Sequence, residues 1–97
     1  MLELNESNFA EHTQNGLVLV DFFTPWCGPC RLIPPVLEQL ENIVIYKVDV
    51  SQNQDLAVQF KVSHVPCLVY LKDGAEVARY VGLESVETLQ AKVNELL

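Results

Sequence analysis

Seven consecutive positions, Leu17-Val18-Leu19-Val20-Asp21-Phe22-Phe23, constrain this chain more than any others. Successive side chains of a strand point to opposite faces of its sheet. Val18, Val20 and Phe22 therefore share one face, and Leu17, Leu19 and Phe23 share the other. A strand apolar on both sides must be covered on both, so it belongs in the middle of a sheet with helices above and below. Asp21 alone interrupts the run. A carboxylate buried in such a strand is costly unless it is paired, and burial raises its pKa.

The segments that follow supply the covering layers. Ile33, Val36, Leu37 and Leu40 recur at helical spacing, so roughly 28–41 reads as an amphipathic helix. Pro34 and Pro35 fall inside it. Pro35 should kink it, because a proline donates no N–H and its ring clashes with the carbonyl four residues back. Residues 43–50 are a second β-branched strand, and strand–helix–strand makes a right-handed parallel βαβ unit. A short helix is expected around 54–60, then strands over 67–72 and 75–81. Asp73-Gly74 joins those two as a hairpin, because type I′ turns need positive φ. Val86, Leu89, Val93 and Leu96 form a last amphipathic helix with Ser85 as its N-cap. Near the start, Ser7 or Asn8 is placed to cap a short helix over 9–13. The expectation is an α/β fold in one domain over residues 1–97: a central mixed sheet of four to five strands, helices on both faces, βαβ and then ββα.

With 97 residues there is enough chain for a single core, and 49% apolar content is that of a globular domain. Net charge is −7 with only six Lys and Arg and no basic cluster, which argues against nucleic acid or an anionic membrane as partner. No run approaches the roughly 18 apolar residues of a membrane span. Met1–Glu6 shows neither a basic nor an apolar signal region, so a cytoplasmic location is expected. Three cysteines in a reducing compartment are no structural staple set. A close pair there is catalytic or metal-binding.

Cys27-Gly28-Pro29-Cys30 is that pair, set between the apolar strand and the helix. A helix start carries unpaired N–H groups and partial positive charge, which favour a thiolate. The thiolate is the species that attacks disulfides. Cys30 lies almost one helical turn on, within reach of the first sulfur. Gly28 leaves the approach open, and Pro29 sits in the first turn where its missing N–H costs little. Cys27 is expected to attack a substrate disulfide and form a mixed disulfide. Cys30 then displaces the substrate and leaves a Cys27–Cys30 disulfide.

Val20-Asp21-Phe22, Trp26-Cys27-Gly28-Pro29-Cys30, Pro35, Lys47, Val65-Pro66, Asp73-Gly74 and Val81-Gly82 follow one another in order along the chain. With these residues the chain resembles the thioredoxin family from about Leu4 to Leu97. The resemblance implies a cytosolic protein-disulfide reductant; the monomer-sized chain is expected to act as a monomer, with no cofactor of its own. It would be re-reduced by a flavin-containing thioredoxin reductase using NADPH. Its clients would be of the ribonucleotide reductase, peroxiredoxin and methionine sulfoxide reductase type. Asp21 then becomes a buried general base that takes the proton of Cys30, against the plainer reading of a carboxyl held by backbone N–H groups at a strand end. Lys47, in the adjacent strand, is either a neighbour of that Asp or an ordinary exposed residue. The resemblance makes the Val65–Pro66 bond cis, with the Val65 backbone free to pair with an extended substrate and with Trp26 and Gly82 framing the groove.

The chain departs from the family pattern in four places. Cys67 directly follows Pro66, on a strand expected to face the active site. It reads either as a small buried hydrophobe or as a third redox thiol able to react with Cys30 or Cys27. Phe23, Thr24 and Pro25 alter the loop before Trp26. Pro34 doubles the helix proline. The segment between Cys30 and Lys47 is short, which calls for a truncated helix or a tight turn at Glu41-Asn42. Among rival functions, Cys27, Cys30, His64 and Cys67 make a nominal four-ligand zinc set, interrupted by Pro29 and Pro66. A disulfide oxidase or isomerase would prefer a histidine between the cysteines and an oxidising compartment. A non-catalytic scaffold module needs neither thiol.

Overall fold

In the computed structural model, which describes residues 1–97, β2 (Leu17–Phe23) occupies the centre of a five-stranded sheet. The other strands are β1 (Leu2–Leu4), β3 (Val44–Asp49), β4 (Cys67–Lys72) and β5 (Ala75–Val81), in the spatial order β1-β3-β2-β4-β5. β2 runs parallel to β3 and antiparallel to β4, so Asp21 has Lys47 on one side and Leu68 on the other. β1 was not anticipated. It is three residues long, pairs in parallel with β3, and buries only Leu4, too little pattern for a strand to be read from.

The helices are α1 (Phe9–Thr13), α2 (Gly28–Leu32), α3 (Pro34–Leu37), α4 (Gln54–Gln59) and α5 (Val86–Leu96). Two apolar cores result, one per sheet face. Val18, Val20, Phe22, Cys67 and Val69 pack with Phe9 of α1, Leu56 of α4 and Phe60. Leu19, Leu68 and Tyr70 pack with Ile33, with Leu37 of α3, and with Leu89 and Val93 of α5. Asp21, in phase with Leu19, belongs to this second face.

The expected single helix over 28–41 is two short ones. Each proline removes a donor in succession: Pro34 cannot bond the Cys30 carbonyl, nor Pro35 that of Arg31. The ladder therefore breaks at Ile33, and regular helix ends at Leu37 rather than at 41. The short connection to β3 is met as expected, by an early helix end and by positive φ, 66°, at Asn42. Gln90 of α5 pins this corner: its Oε1 accepts the Glu41 N–H at 2.8 Å and its Nε2 donates to the Glu41 carbonyl at 3.1 Å.

The hairpin between β4 and β5 has positive φ at both central residues, 51° at Asp73 and 86° at Gly74, as type I′ geometry requires. Ser85 caps α5 by accepting the Thr88 N–H at 3.1 Å. α1 is different. Asn8 precedes it without capping it, and Asn5 instead accepts the N–H groups of Ser7 and Asn8 at 2.9 and 3.1 Å. An Asx turn thus takes the place of the expected Ser7 or Asn8 cap.

Candidate active site

At the end of β2 the chain leaves the sheet, turns through Thr24-Pro25-Trp26, and enters α2 at Cys27. Cys27 is the N-cap residue, with extended backbone, and its sulfur accepts the Cys30 N–H at 3.1 Å. Cys27 and Cys30 are joined as a disulfide, their Cα atoms 5.2 Å apart. With five residues, α2 is too short for a long macrodipole, so the electrostatic support at Cys27 is local and comes from N–H groups of the first turn. Gly28 and Pro29 are exposed there, and the space beside Gly28 is open. Cys27 is partly exposed, whereas Cys30 is buried at 5%.

The loop before β4 comes up against the pair. The Val65–Pro66 bond is cis, and the Cys27 sulfur lies 3.8 Å from the Val65 carbonyl oxygen. Gly82 donates its N–H to the Pro66 carbonyl at 2.8 Å and has φ of 94°, a conformation that favours glycine. Trp26 is 69% exposed, more open than a groove wall half-buried in the core. Val81 and Leu83, on either side of Gly82, are also exposed apolar residues at this end of β5. From sequence, Val81 enters only within the Val81-Gly82 marker, and Leu83 is passed over. Their signal was an apolar pair bracketing a strand-end glycine, with no helical or strand period to bury it.

On the inner side of the disulfide is a pocket of about 220 Å³, lined by Asp21, Phe23, Thr24 and Pro25 from β2 and its exit, by Cys30, Arg31 and Pro34, and by Lys47. Asp21 is 2% exposed and its Oδ1 has no hydrogen-bond partner, so the carboxyl is not satisfied by backbone N–H groups at the strand end, contrary to the plainer reading. Burial pushes its pKa up to about 7, and the Lys47 charge opposes that rise without cancelling it. Lys47 is the register partner of Asp21 but forms no ion pair with it. The ammonium lies 5.6 Å from the centre of the Phe23 ring. Arg31 was not singled out from sequence. It donates from Nε and Nη2 to the Pro25 carbonyl at 3.3 and 3.0 Å and so ties α2 to the turn that carries Trp26.

Cys67 requires a correction. It does not face the cysteine pair. The residue of β4 opposite Asp21 is Leu68, and alternation turns Cys67 to the other face, beside Phe22 and Phe60. Burial pushes its thiol up, partly offset by the Arg79 guanidinium, whose Nη1 is 3.8 Å from the sulfur. The four-ligand zinc set fails for the same reason. Cys67 points into the opposite core, and exposed His64 pairs its Nδ1 with Ser63 Oγ at 3.1 Å. No three His, Cys, Asp or Glu side chains converge as a metal site.

A family model described as Thioredoxin matches residues 1–95. The chain belongs to the thioredoxin family. A thioredoxin of Chlamydia trachomatis is 44% identical over 90 residues, covering 89% of this chain and 88% of that protein. One from Bacillus subtilis is 41% identical over 102 residues, covering 100% and 98%. The solved structure of a mutant thioredoxin from Halobacterium salinarum superposes with a TM-score of 0.90 at 34% identity, covering 97% of this chain and 88% of that one. The fold is thus the thioredoxin fold, and the chain is a thiol–disulfide oxidoreductase with protein-disulfide reductase activity. Family membership brings disulfide substrates and a reductase partner in general terms. No helix is long and apolar enough to cross a membrane.

Proposed function

We propose that Cys27 is the attacking thiol, Cys30 the resolving thiol and Asp21 the proton acceptor of protein-disulfide reduction. The observation that supports this division most directly is the hydrogen bond from the Cys30 N–H to the Cys27 sulfur, combined with the burial of Cys30 behind it. That N–H favours a thiolate at Cys27, the more exposed of the two. Cys27 attacks one sulfur of the substrate disulfide. One substrate thiolate leaves, and a mixed disulfide remains. Asp21, ionised, takes the Cys30 proton directly or through a water. The Cys30 thiolate attacks the Cys27 sulfur, the mixed disulfide breaks, and the second substrate sulfur departs as a thiolate. Two electrons pass to the substrate and a Cys27–Cys30 disulfide remains.

Substrate is held in this reading as an extended segment along Val65, whose backbone takes part in no helix or strand ladder. Trp26, Pro66 and Gly82 frame it, with Gly28 and Pro29 keeping the sulfur accessible. Lys47 tunes Asp21. The domain spans 1–97, works as a cytoplasmic monomer without a cofactor, and receives electrons from a flavin-containing thioredoxin reductase. Its clients are of the ribonucleotide reductase, peroxiredoxin and methionine sulfoxide reductase type. The decisive assay is insulin disulfide reduction driven by dithiothreitol, with bound metal quantified on the same samples. Wild-type turnover that disappears in Cys27→Ser upholds the reading. An inactive protein carrying stoichiometric zinc overturns it.

A further inference from the structure

The pocket behind the disulfide contains an arrangement that the two-cysteine cycle leaves unexplained. Asp21 and Lys47 are direct neighbours across β2 and β3 and line the same pocket, yet Oδ1 of Asp21 has no partner. Phe23 stands two residues beyond Asp21 on the same face of β2, and its ring, not the carboxyl, has the Lys47 ammonium over it at 5.6 Å. That separation is within the range where an aromatic face attracts a cation.

The geometry points to Phe23 as a positioning residue: its ring provides the Lys47 ammonium with a seat away from Asp21, which leaves the Asp21 carboxyl without an ion-pair partner. An ion-paired carboxylate holds its proton weakly and is a poor acceptor for a thiol proton. An unpaired one in an apolar pocket holds it well. The seat therefore matters to resolution, where Asp21 must accept the proton of Cys30. Lys47 has another anionic neighbour, Glu3 of β1, which pairs with it in register but forms no ion pair. The remaining charged or titratable groups around Asp21 are Cys30 and Arg31 of α2 and Cys67 of β4. Arg31 is held by the Pro25 carbonyl, and Cys67 belongs to the opposite core. Lys47 is thus the cation whose position the ring controls.

This inference rests on the reading of Asp21 as proton acceptor, but its test does not pass through turnover. In the oxidised protein Cys27 and Cys30 carry no proton, so the carboxyl carbon of Asp21 can be titrated by NMR without interference from the pair. Phe23→Leu is expected to lower the Asp21 midpoint by about half a pH unit, a threefold change in proton affinity. Phe23→Trp, which offers a stronger cation-binding face and keeps an aromatic ring at the position, is expected to raise it. Both changes should vanish in a Lys47→Met background, since the ring acts only through the ammonium. A shift of equal size with and without Lys47 would mean that the ring merely excludes water, and the inference would fall. It would fall equally if neither substitution moved the midpoint. In either case the proton-acceptor role of Asp21 would still be judged separately, by the rate of mixed-disulfide resolution in Asp21→Asn.

Discussion

The Cys30 N–H lies 3.1 Å from the Cys27 sulfur, a hydrogen bond made by the first turn of α2 to its own N-cap residue. One cysteine supplies the donor that supports the other as a thiolate while keeping its own sulfur inside. The two should fail differently when replaced. Cys27→Ser is expected to abolish insulin reduction. Cys30→Ser is expected to retain the first attack and accumulate a mixed disulfide with substrate, detectable by intact-mass analysis. Equal trapping by both variants would contradict the assignment.

Asp21 should cost the fold stability at neutral pH. A carboxyl that ionises at 3.8 when unfolded and at about 7 when folded is favoured in its neutral form by the fold. The unfolded chain loses the proton first, so stability declines as pH rises from 3.8 towards 7 and levels off above. At about 1.4 kcal/mol per pH unit the full penalty reaches about 4 kcal/mol. Asp21→Asn should therefore stabilise the protein by about 2–4 kcal/mol at pH ~8 and by little at pH ~4, measured by urea unfolding. The same variant should slow release from the mixed disulfide in stopped-flow measurements. Unchanged resolution would remove Asp21 from the mechanism.

Cys67 is packed on the face away from the disulfide, so its contribution is steric. Cys67→Ala should leave the rate of insulin reduction within about twofold of wild type and cost about 1–2 kcal/mol of stability through the small cavity it opens. In the oxidised protein its thiol should react with a bulky disulfide reagent only after denaturation. Rapid labelling of the native protein would show that the thiol reaches solvent after all.

Trp26 is 69% exposed one residue before the attacking sulfur, with Val81 and Leu83 exposed across the Pro66–Gly82 contact. Trp26→Ala should raise KM for a protein disulfide several-fold and change the reaction with a small symmetrical disulfide much less. A parallel loss on both substrates would indicate damage to the cysteine pair rather than to a docking surface.

Ser85 offers a control remote from the chemistry. Ser85→Ala removes the side-chain acceptor for the Thr88 N–H and should lower stability by about 1 kcal/mol, with reductase activity intact.

Most of the framework was readable from local pattern. β2, β4 and α5 lie where their apolar pattern put them, because that pattern matches each segment's secondary structure and burial, and the Asp73-Gly74 turn placed β5 beside β4 although none of its side chains is fully buried. The split of the long helix was less legible. One proline bends a helix, but the second removes the neighbouring donor too, and the outcome is an end at Leu37. β1 was illegible, since three residues carry no period and its place beside β3 is a long-range pairing.

The sequence by itself determined a central strand covered on both sides, a Cys-x-x-Cys pair at its helical exit and a buried carboxylate three-quarters of the way along that strand. These follow from alternation, helical reach and turn chemistry, which act within a few residues. Only the tertiary structure decided which side chains meet. Strand register put Leu68 rather than Cys67 opposite Asp21, brought Lys47 beside that carboxyl yet over the Phe23 ring, and set Gly82 against Pro66. A shift of one residue in register would reverse every one of those faces. Register is fixed by the packing of two whole cores, so the surroundings of Asp21 and Cys67 belong to the fold and not to any short stretch of chain.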